Sequence, residues 1–221
     1  MSKKTAVIVG AGKGMGNHIA KKFAENDFRV VLMARNQKSL ASYVNEFEAE
    51  GMECYGFTAD AADTVSLTEA FSQVKNQFGL VDVLVYNAAV LSAGFPTSLS
   101  SEDLMNHYQV DVASALHCAK LVLPEQEKAG EGTILFTGGG LAMYPMAEYT
   151  CVSMGKAALK ALAITLNQEL KGKGMFVCIV TIMGNVASDT HYDPNLIAKE
   201  MCIRDRMQRA AGGRIKCAER L

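Results

Sequence analysis

An apolar run, Thr5 to Val9, ends directly in Gly10-Ala11-Gly12-Lys13-Gly14-Met15-Gly16, and behind it Met15, Ile19 and Phe23 recur one helical turn apart. Strand, glycine loop and helix in that order leave few folds open. Glycines let the chain turn tightly, let backbone N–H groups approach a pyrophosphate and let the helix lie close on the strand. A glycine-rich turn without a ligand is the plainer alternative, but the ordered surroundings favour dinucleotide binding. No Gly-Lys-Ser/Thr follows, which disfavours a phosphate-transferring loop.

The same alternation runs on. Strands are expected at Thr5–Val9, Arg29–Ala34, Glu53–Thr58, Val81–Tyr86, Thr133–Thr137 and Met175–Ile182, with helices over Gln37–Glu50, Val65–Phe78, Ser101–Leu123 and Glu148–Leu170. Ala6-Val7-Ile8-Val9 and Val83-Leu84-Val85 are apolar on both faces, as strands covered by helices on both sides must be. Right-handed crossovers then give an α/β doubly wound parallel sheet of order 3-2-1-4-5-6. A seventh strand is apparently missing.

A length of 221 residues fits one large α/β domain or two small ones, and no Pro/Gly-rich linker divides it. One domain over residues 1–200 is the reading. With 49% hydrophobic and 20% charged residues, wholesale disorder is excluded. A net charge of −1 offers no general basic field for nucleic acid or an anionic membrane. The longest mainly apolar run, Met175 to Met183, is far short of a membrane span. Lys3 and Lys4 before Thr5 mimic a signal peptide, but the apolar stretch is too short and glycines follow, so export is rejected. Six cysteines without a C-x-x-C pair and four histidines without zinc spacing argue for no metal. Reduced thiols and a cytoplasmic location are expected.

Further motifs follow in order. Asp60-Ala61 stands after strand three, Asn87-Ala88-Ala89 after strand four, Lys156-Ala157-Ala158-Leu159 on the fifth long helix, and Met183-Gly184 after strand six. Together with Gly10-x-x-x-Gly14-x-Gly16, this set resembles the short-chain dehydrogenase/reductase family over roughly Thr5 to Ala198. The resemblance implies a Rossmann-like fold, a nicotinamide dinucleotide, a small-molecule carbonyl or alcohol substrate and a homodimer or homotetramer. It places Gly10, Gly12, Lys13, Gly14, Met15, Gly16, Asp60, Ala61, Asn87, Ala88, Ala89 and Lys156 against the cofactor.

Charge selects the dinucleotide. NAD readers carry an acid near the end of strand two, whereas here Leu32-Met33-Ala34-Arg35-Asn36 has none. Arg35 suits a 2′-phosphate, and Lys13 is similar to a second phosphate contact of NADP-preferring members. NADP is expected.

The family's catalytic set of Asn, Ser, Tyr and Lys is broken. Aligned through Lys156, the tyrosine position is Val152, the serine position Gly139 and the asparagine position Asp111. Catalytic candidates are Lys156 and Tyr149, the latter two turns earlier on nearly the same helix face, with a cap or pocket aromatic as its plainer role. Tyr144, Thr137 and Ser153 are weaker, and His107 and His117 read as packed or surface histidines. Two functions stay open: an NADP-dependent oxidoreductase with a non-standard proton donor, or a catalytically impaired NADP-binding protein with a regulatory or assembly role. Finally, Met201-Cys202-Ile203-Arg204-Asp205-Arg206 reads like a translated sequencing adapter, so the tail over residues 201–221 is of doubtful authenticity.

Overall fold

Strand β1 (Lys4–Val9) pairs on both sides, with Ala6 opposite Val30 of β2 (Phe28–Ala34) and opposite Val83 of β4 (Val83–Tyr86). It can be central because its run Ala6, Val7, Ile8 and Val9 is apolar and wholly buried, with only Lys4 at its start reaching solvent. The computed structural model describes residues 3–211 and 218–220. With β3 (Cys54–Thr58), β5 (Gly132–Gly139) and β6 (Met175–Ile182), the sheet runs parallel in the order β3-β2-β1-β4-β5-β6, as the sequence predicts.

One expectation is corrected. A seventh strand is present: β7 (Ala218–Arg220) pairs parallel to β6, with Ala218 opposite Ile179. Three residues of mixed polarity show neither alternation nor an apolar run, so nothing in their sequence announces a strand. Of the tail, residues 212–217 and 221 lie outside the described residues, and 201–211 continue a helix.

Helices cover both faces. Val7 and Val9 face α3 (Thr64–Phe78), α5 (Ser114–Ala129) and α6 (Thr150–Leu170), through Leu67, Phe71, Ala115, Val122, Leu159 and Leu166. Ala6 and Ile8 face α1 (Met15–Ala24), α2 (Gln37–Ala49) and α7 (Pro194–Ala211), through Ile19, Phe23, Leu40, Phe47, Ala198 and Met201. Each fully buried large side chain of this kind contributes roughly 1.5–3 kcal/mol. Three of the helices, α2, α3 and α7, start where a short polar side chain satisfies an orphan N–H group. Asn36 accepts from Ser39 N, Asp63 from Val65 N and Asp193 from Asn195 N. The early proline expected of the last helix is its first residue, Pro194.

The helix predicted over Ser101–Leu123 is two helices. α4 (Ser101–Tyr108) opens on a capping box between Ser100 and Asp103, and a wide π turn over Gln109–Ala113 separates it from α5. Ser114 N–H reaches five residues back to the Gln109 carbonyl. The Val110 carbonyl so released accepts the Tyr86 hydroxyl at 2.5 Å. Such insertions cluster at functional sites. This one carries Asp111.

Candidate functional site

At the carboxyl end of β1, Gly10 takes φ +90°, and an added Cβ would stand 2.5 Å from Ala88 N. Only glycine serves there. Gly10 N and Ala11 N both donate to Met33 O at 3.0 Å, while Asn87 Nδ2 donates to Gly10 O at 2.9 Å. Asn87 is therefore a clamp on the glycine loop, and its own N–H extends β4 toward Val9 O at 2.8 Å. A Cβ at Gly16 would collide with the Gly10 carbonyl, which is how closely α1 lies on the loop. Gly12 and Gly14, by contrast, face open space.

Gly14 caps α1 without any side-chain hydrogen bond, and no acid stands in the first turn of that helix. Asn17 N donates back to Gly12 O at 2.9 Å, which leaves the Met15 and Gly16 N–H groups without a capping side chain beside the open glycines, donors of the kind a pyrophosphate needs. A dinucleotide fits the residues present. Lys13 and Arg35 are both exposed, and neither forms an ion pair with the described residues. Asp60 spends Oδ1 on Ala62 N at 2.9 Å, and its own N–H donates to Ser66 Oγ at 3.1 Å. That fixes the Asp60-Ala61 corner beyond β3. Ala88 and Ala89 line the turn after β4, and Met15 opens α1, half-buried.

Beyond β5 the second half of the site forms. Lys156, on α6, is buried, and its Nζ donates to the Thr137 carbonyl at 2.9 Å. Its stem lies over Gly139, where an added Cβ would meet Cγ at 3.6 Å. One turn earlier Val152 is buried in the tyrosine position. Tyr149 is the residue preceding α6; its side chain is 41% exposed and caps nothing, which leaves its phenol accessible. Gly94 N donates to Glu148 O at 2.7 Å, pinning the loop after β4 across this helix start. Ser153 is committed locally, its Oγ donating to Tyr149 O at 2.9 Å and accepting from Met146 N at 3.3 Å.

Asp111 faces Lys156 from the π turn. It is buried, Oδ1 accepts from Val90 N at 2.9 Å, and Oδ2 is buried with no protein partner among the described residues. A Cβ at Gly155 would meet that Oδ2 at 2.6 Å, so the small residue on α6 admits the carboxyl. Burial pushes the Asp111 carboxyl up from its ordinary range, partly offset by the Val90 amide and by the charges of Lys156 and His107. Burial pushes the Lys156 ammonium down, with Asp111 acting the other way. A desolvated acid and a desolvated base thus approach one another in proton affinity.

Of the two settings expected for His107, packed or surface, the structure gives the packed one, with its Nε2 sharing a hydrogen with Ser92 Oγ at 2.8 Å. What sequence reasoning did not do was pair it with Asp111. The available signal was His107 and Asp111 four residues apart in a helical stretch, where one face holds both. His117 instead meets Thr68 Oγ1 at 2.9 Å, away from the cleft.

The sequence profile of the short chain dehydrogenase family matches residues 4–196. The chain belongs to that family. Among similar short-chain dehydrogenases, the ketoacyl reductase HetN of a Nostoc species is 27% identical over 180 residues, covering 81% of this chain and 63% of its own. The oxidoreductase UcpA of Salmonella typhimurium is 29% identical over 180 residues, 80% of this chain and 67% of its own. The chain thus spans roughly two thirds of the length of these relatives. In fold it is similar to a point variant of actinorhodin polyketide ketoreductase with NADPH, at TM-score 0.88 and 21% identity over 95% of this chain and 92% of that one. A metagenomic short-chain oxidoreductase in complex with NADP gives TM-score 0.83 at 23% identity, over 93% and 91%.

No helix among the described residues is long and apolar enough to cross a membrane.

Proposed function

We propose that this short-chain dehydrogenase is an NADP-dependent oxidoreductase that moves hydride between NADP(H) and a carbonyl/alcohol pair, with a proton donor other than the family tyrosine. One observation carries the reading: an uncapped helix start beside open glycines, flanked by two exposed cations and no strand-two acid. The open glycines and α1 would hold the pyrophosphate, and Arg35 and Lys13 the 2′-phosphate. The hydride is supplied by bound NADPH. Lys156 would fix the nicotinamide ribose and stand beside the reacting oxygen, with Asp60-Ala61 toward the adenine and Asn87 holding the loop in shape.

Proton supply is where this chain departs from its family. Val152 carries no proton and Gly139 orients no carbonyl, which leaves Lys156 and Tyr149 as candidate acids. The loss of the family's tyrosine, serine and asparagine at Val152, Gly139 and Asp111 favours a second reading, an impaired NADP-binding protein with a regulatory or assembly role. Stopped-flow NADPH oxidation across a carbonyl panel separates the two. Turnover of any member supports the oxidoreductase. NADPH binding with no turnover of any carbonyl supports the second reading.

A cytoplasmic small-molecule enzyme that assembles as a homodimer or homotetramer is consistent with this proposal, and sedimentation of the purified chain tests the assembly.

A further inference from the structure

Hydroxyl groups are scarce where a carbonyl would be polarised. Val152 and Gly139 hold the tyrosine and serine positions and carry none. The hydroxyls nearby are committed to main-chain carbonyls: Ser153 Oγ to Tyr149 O at 2.9 Å, Thr150 Oγ1 to Ala147 O at 2.9 Å and Thr137 Oγ1 to Tyr86 O at 3.4 Å. An ordinary ketone reduced here would become an alkoxide, a base comparable to hydroxide, with no family-type acid beside it.

Three segments border this cleft at the carboxyl ends of β4, β5 and β6. Residues 87–100 are pinned to the start of α6, Gly94 N donating to Glu148 O at 2.7 Å. Residues 183–193 lie against residues 140–149, since a Cβ at Gly140 would meet Met183 Cα at 3.3 Å. None of the three segments contains a lysine or arginine; their acids are Glu148, Asp189 and Asp193. Yet they carry six of the twelve exposed large apolar side chains among the described residues: Leu91, Phe95, Tyr144, Met146, Tyr149 and Val186. Three of the six are aromatic, the side chains that stack on a flat ring. An apolar border without cations, leading to Gly139 and the Lys156 stem, suits a neutral small molecule and repels an anionic one.

We propose that the substrate is a flat, uncharged, conjugated carbonyl of the quinone class, reduced by two electrons to its hydroquinone. The inference rests on the oxidoreductase reading and names its substrate class. The quinone takes one hydride from the reduced nicotinamide, whose C–H bond breaks as an O–H bond of the product forms. Both C=O bonds become single bonds as the ring turns aromatic, and the electron pair stays on the second oxygen. That oxyanion is a phenolate, whose acid has a pKa of about 10, so no acid has to act in step with the hydride. It takes its proton afterwards from the Lys156 ammonium, which water restores. One hydride and one solvent proton enter, and one hydroquinone leaves. Ring resonance thus replaces the acid lost at Val152.

The test uses the full chain with NADPH and three acceptors: menadione, an anionic naphthoquinone sulfonate, and tetralone, a ketone of similar size. After subtraction of the protein-free rate, kcat/KM for menadione is expected to exceed that for tetralone about 10²-fold or more, the range that positioned acid catalysis would otherwise supply. It should exceed that for the sulfonate about tenfold. In a single turnover with menadione, deuterium in the transferred hydride should slow the reaction and heavy water should not. Independently of turnover, calorimetry of menadione with the cofactor-free chain should show affinity falling about threefold to tenfold in Tyr144→Ala. Val65→Ser, an exposed apolar site on α3 outside the three segments, should leave that affinity in place. Tetralone or the sulfonate reduced as readily as menadione overturns the substrate class and leaves the oxidoreductase reading standing. So does a Tyr144→Ala variant that breaks up an oligomer in sedimentation with menadione affinity intact, which would assign the apolar border to a second copy of the chain. NADPH binding without turnover of any acceptor fails the oxidoreductase reading and removes this proposal with it.

Discussion

The Tyr86 hydroxyl donates to the Val110 carbonyl at 2.5 Å, and that bond takes up the carbonyl that the π turn withdraws from its helix. Two elements far apart in sequence, a strand end and a helix interruption, thereby set where Asp111 stands. The phenol is fully buried, and burial pushes its ionisation far up, so it acts only as a neutral donor.

Tyr86→Phe should therefore destabilise the fold by about 1–3 kcal/mol, the cost of a buried acceptor left unmatched. Urea denaturation measures it. A variant as stable as the wild type would show that the turn is held by something other than this bond.

Glycine loop substitutions should split by position. Gly10→Ala places a Cβ 2.5 Å from Ala88 N at φ +90° and should lower stability as well as NADPH affinity. Gly12→Ala meets no protein atom within 4 Å, so its stability should stay close to wild type while NADPH affinity falls. Thermal melts and calorimetry check both, and equal melting losses in the two variants would sink the distinction.

Cofactor choice should follow the two exposed cations, Lys13 and Arg35. NADPH should bind more tightly than NADH, and Arg35→Ala should weaken NADPH about tenfold or more with little effect on NADH, since a charge-assisted phosphate contact is worth roughly 1.5–3 kcal/mol. Equal wild-type affinities in a titration calorimeter would count against NADP.

Much of this was legible in sequence, and the limits have physical causes. The six-strand order is the one that the alternation of strands and helices predicts, and Asn87, singled out by the motif after strand four, donates to the carbonyl of Gly10 in the glycine loop. The π turn was not legible, because a one-residue insertion hardly disturbs the apolar periodicity of Ser101–Leu123. The strand Ala218–Arg220 escaped because backbone pairing in three residues needs no side-chain pattern. The choice between packed and surface for His107 stayed open for a different reason: its burial depends on a loop after β4 whose path no local pattern encodes. The doubtful tail meets the fold at Met201 and Cys202, both buried. Resequencing the locus from an independent library is expected to give other codons from Met201 onward, and recovery of the same codons would defeat that expectation.

Stability should depend on pH through Asp111. Its carboxyl is raised above the ordinary value of 3.8 by burial, so its neutral form favours folding at low pH and that advantage is lost as pH rises. Asp111→Asn, which cannot ionise, should gain stability relative to wild type as pH rises above the ordinary carboxyl value of 3.8. A difference that stays flat over that rise in urea melts would mean Asp111 ionises as readily folded as unfolded.

The last prediction concerns restoring the family's own acid. At Gly139 an added Cβ would meet the Lys156 stem at 3.6–3.9 Å, ordinary contact, so a serine fits without displacing the lysine. At Val152 the side chain is 4% exposed, so a tyrosine must push neighbours aside, at a cost of about 1–3 kcal/mol. Gly139→Ser alone should leave stability near wild type, and the double substitution Gly139→Ser with Val152→Tyr should melt lower. In return, a phenol would stand one turn from a buried ammonium that stabilises its phenolate. Positioned general acid catalysis typically contributes about 10²–10⁴ in rate, so turnover of simple carbonyls should rise in the double variant by at least part of that range. Steady-state NADPH oxidation gives the answer. A folded double variant that binds NADPH yet turns over no faster than wild type would mean that the proton already arrives by another route, or that the cleft no longer places a carbonyl beside residue 152. Tyr149→Phe separates those cases: turnover that survives it removes Tyr149 as the acid and leaves Lys156.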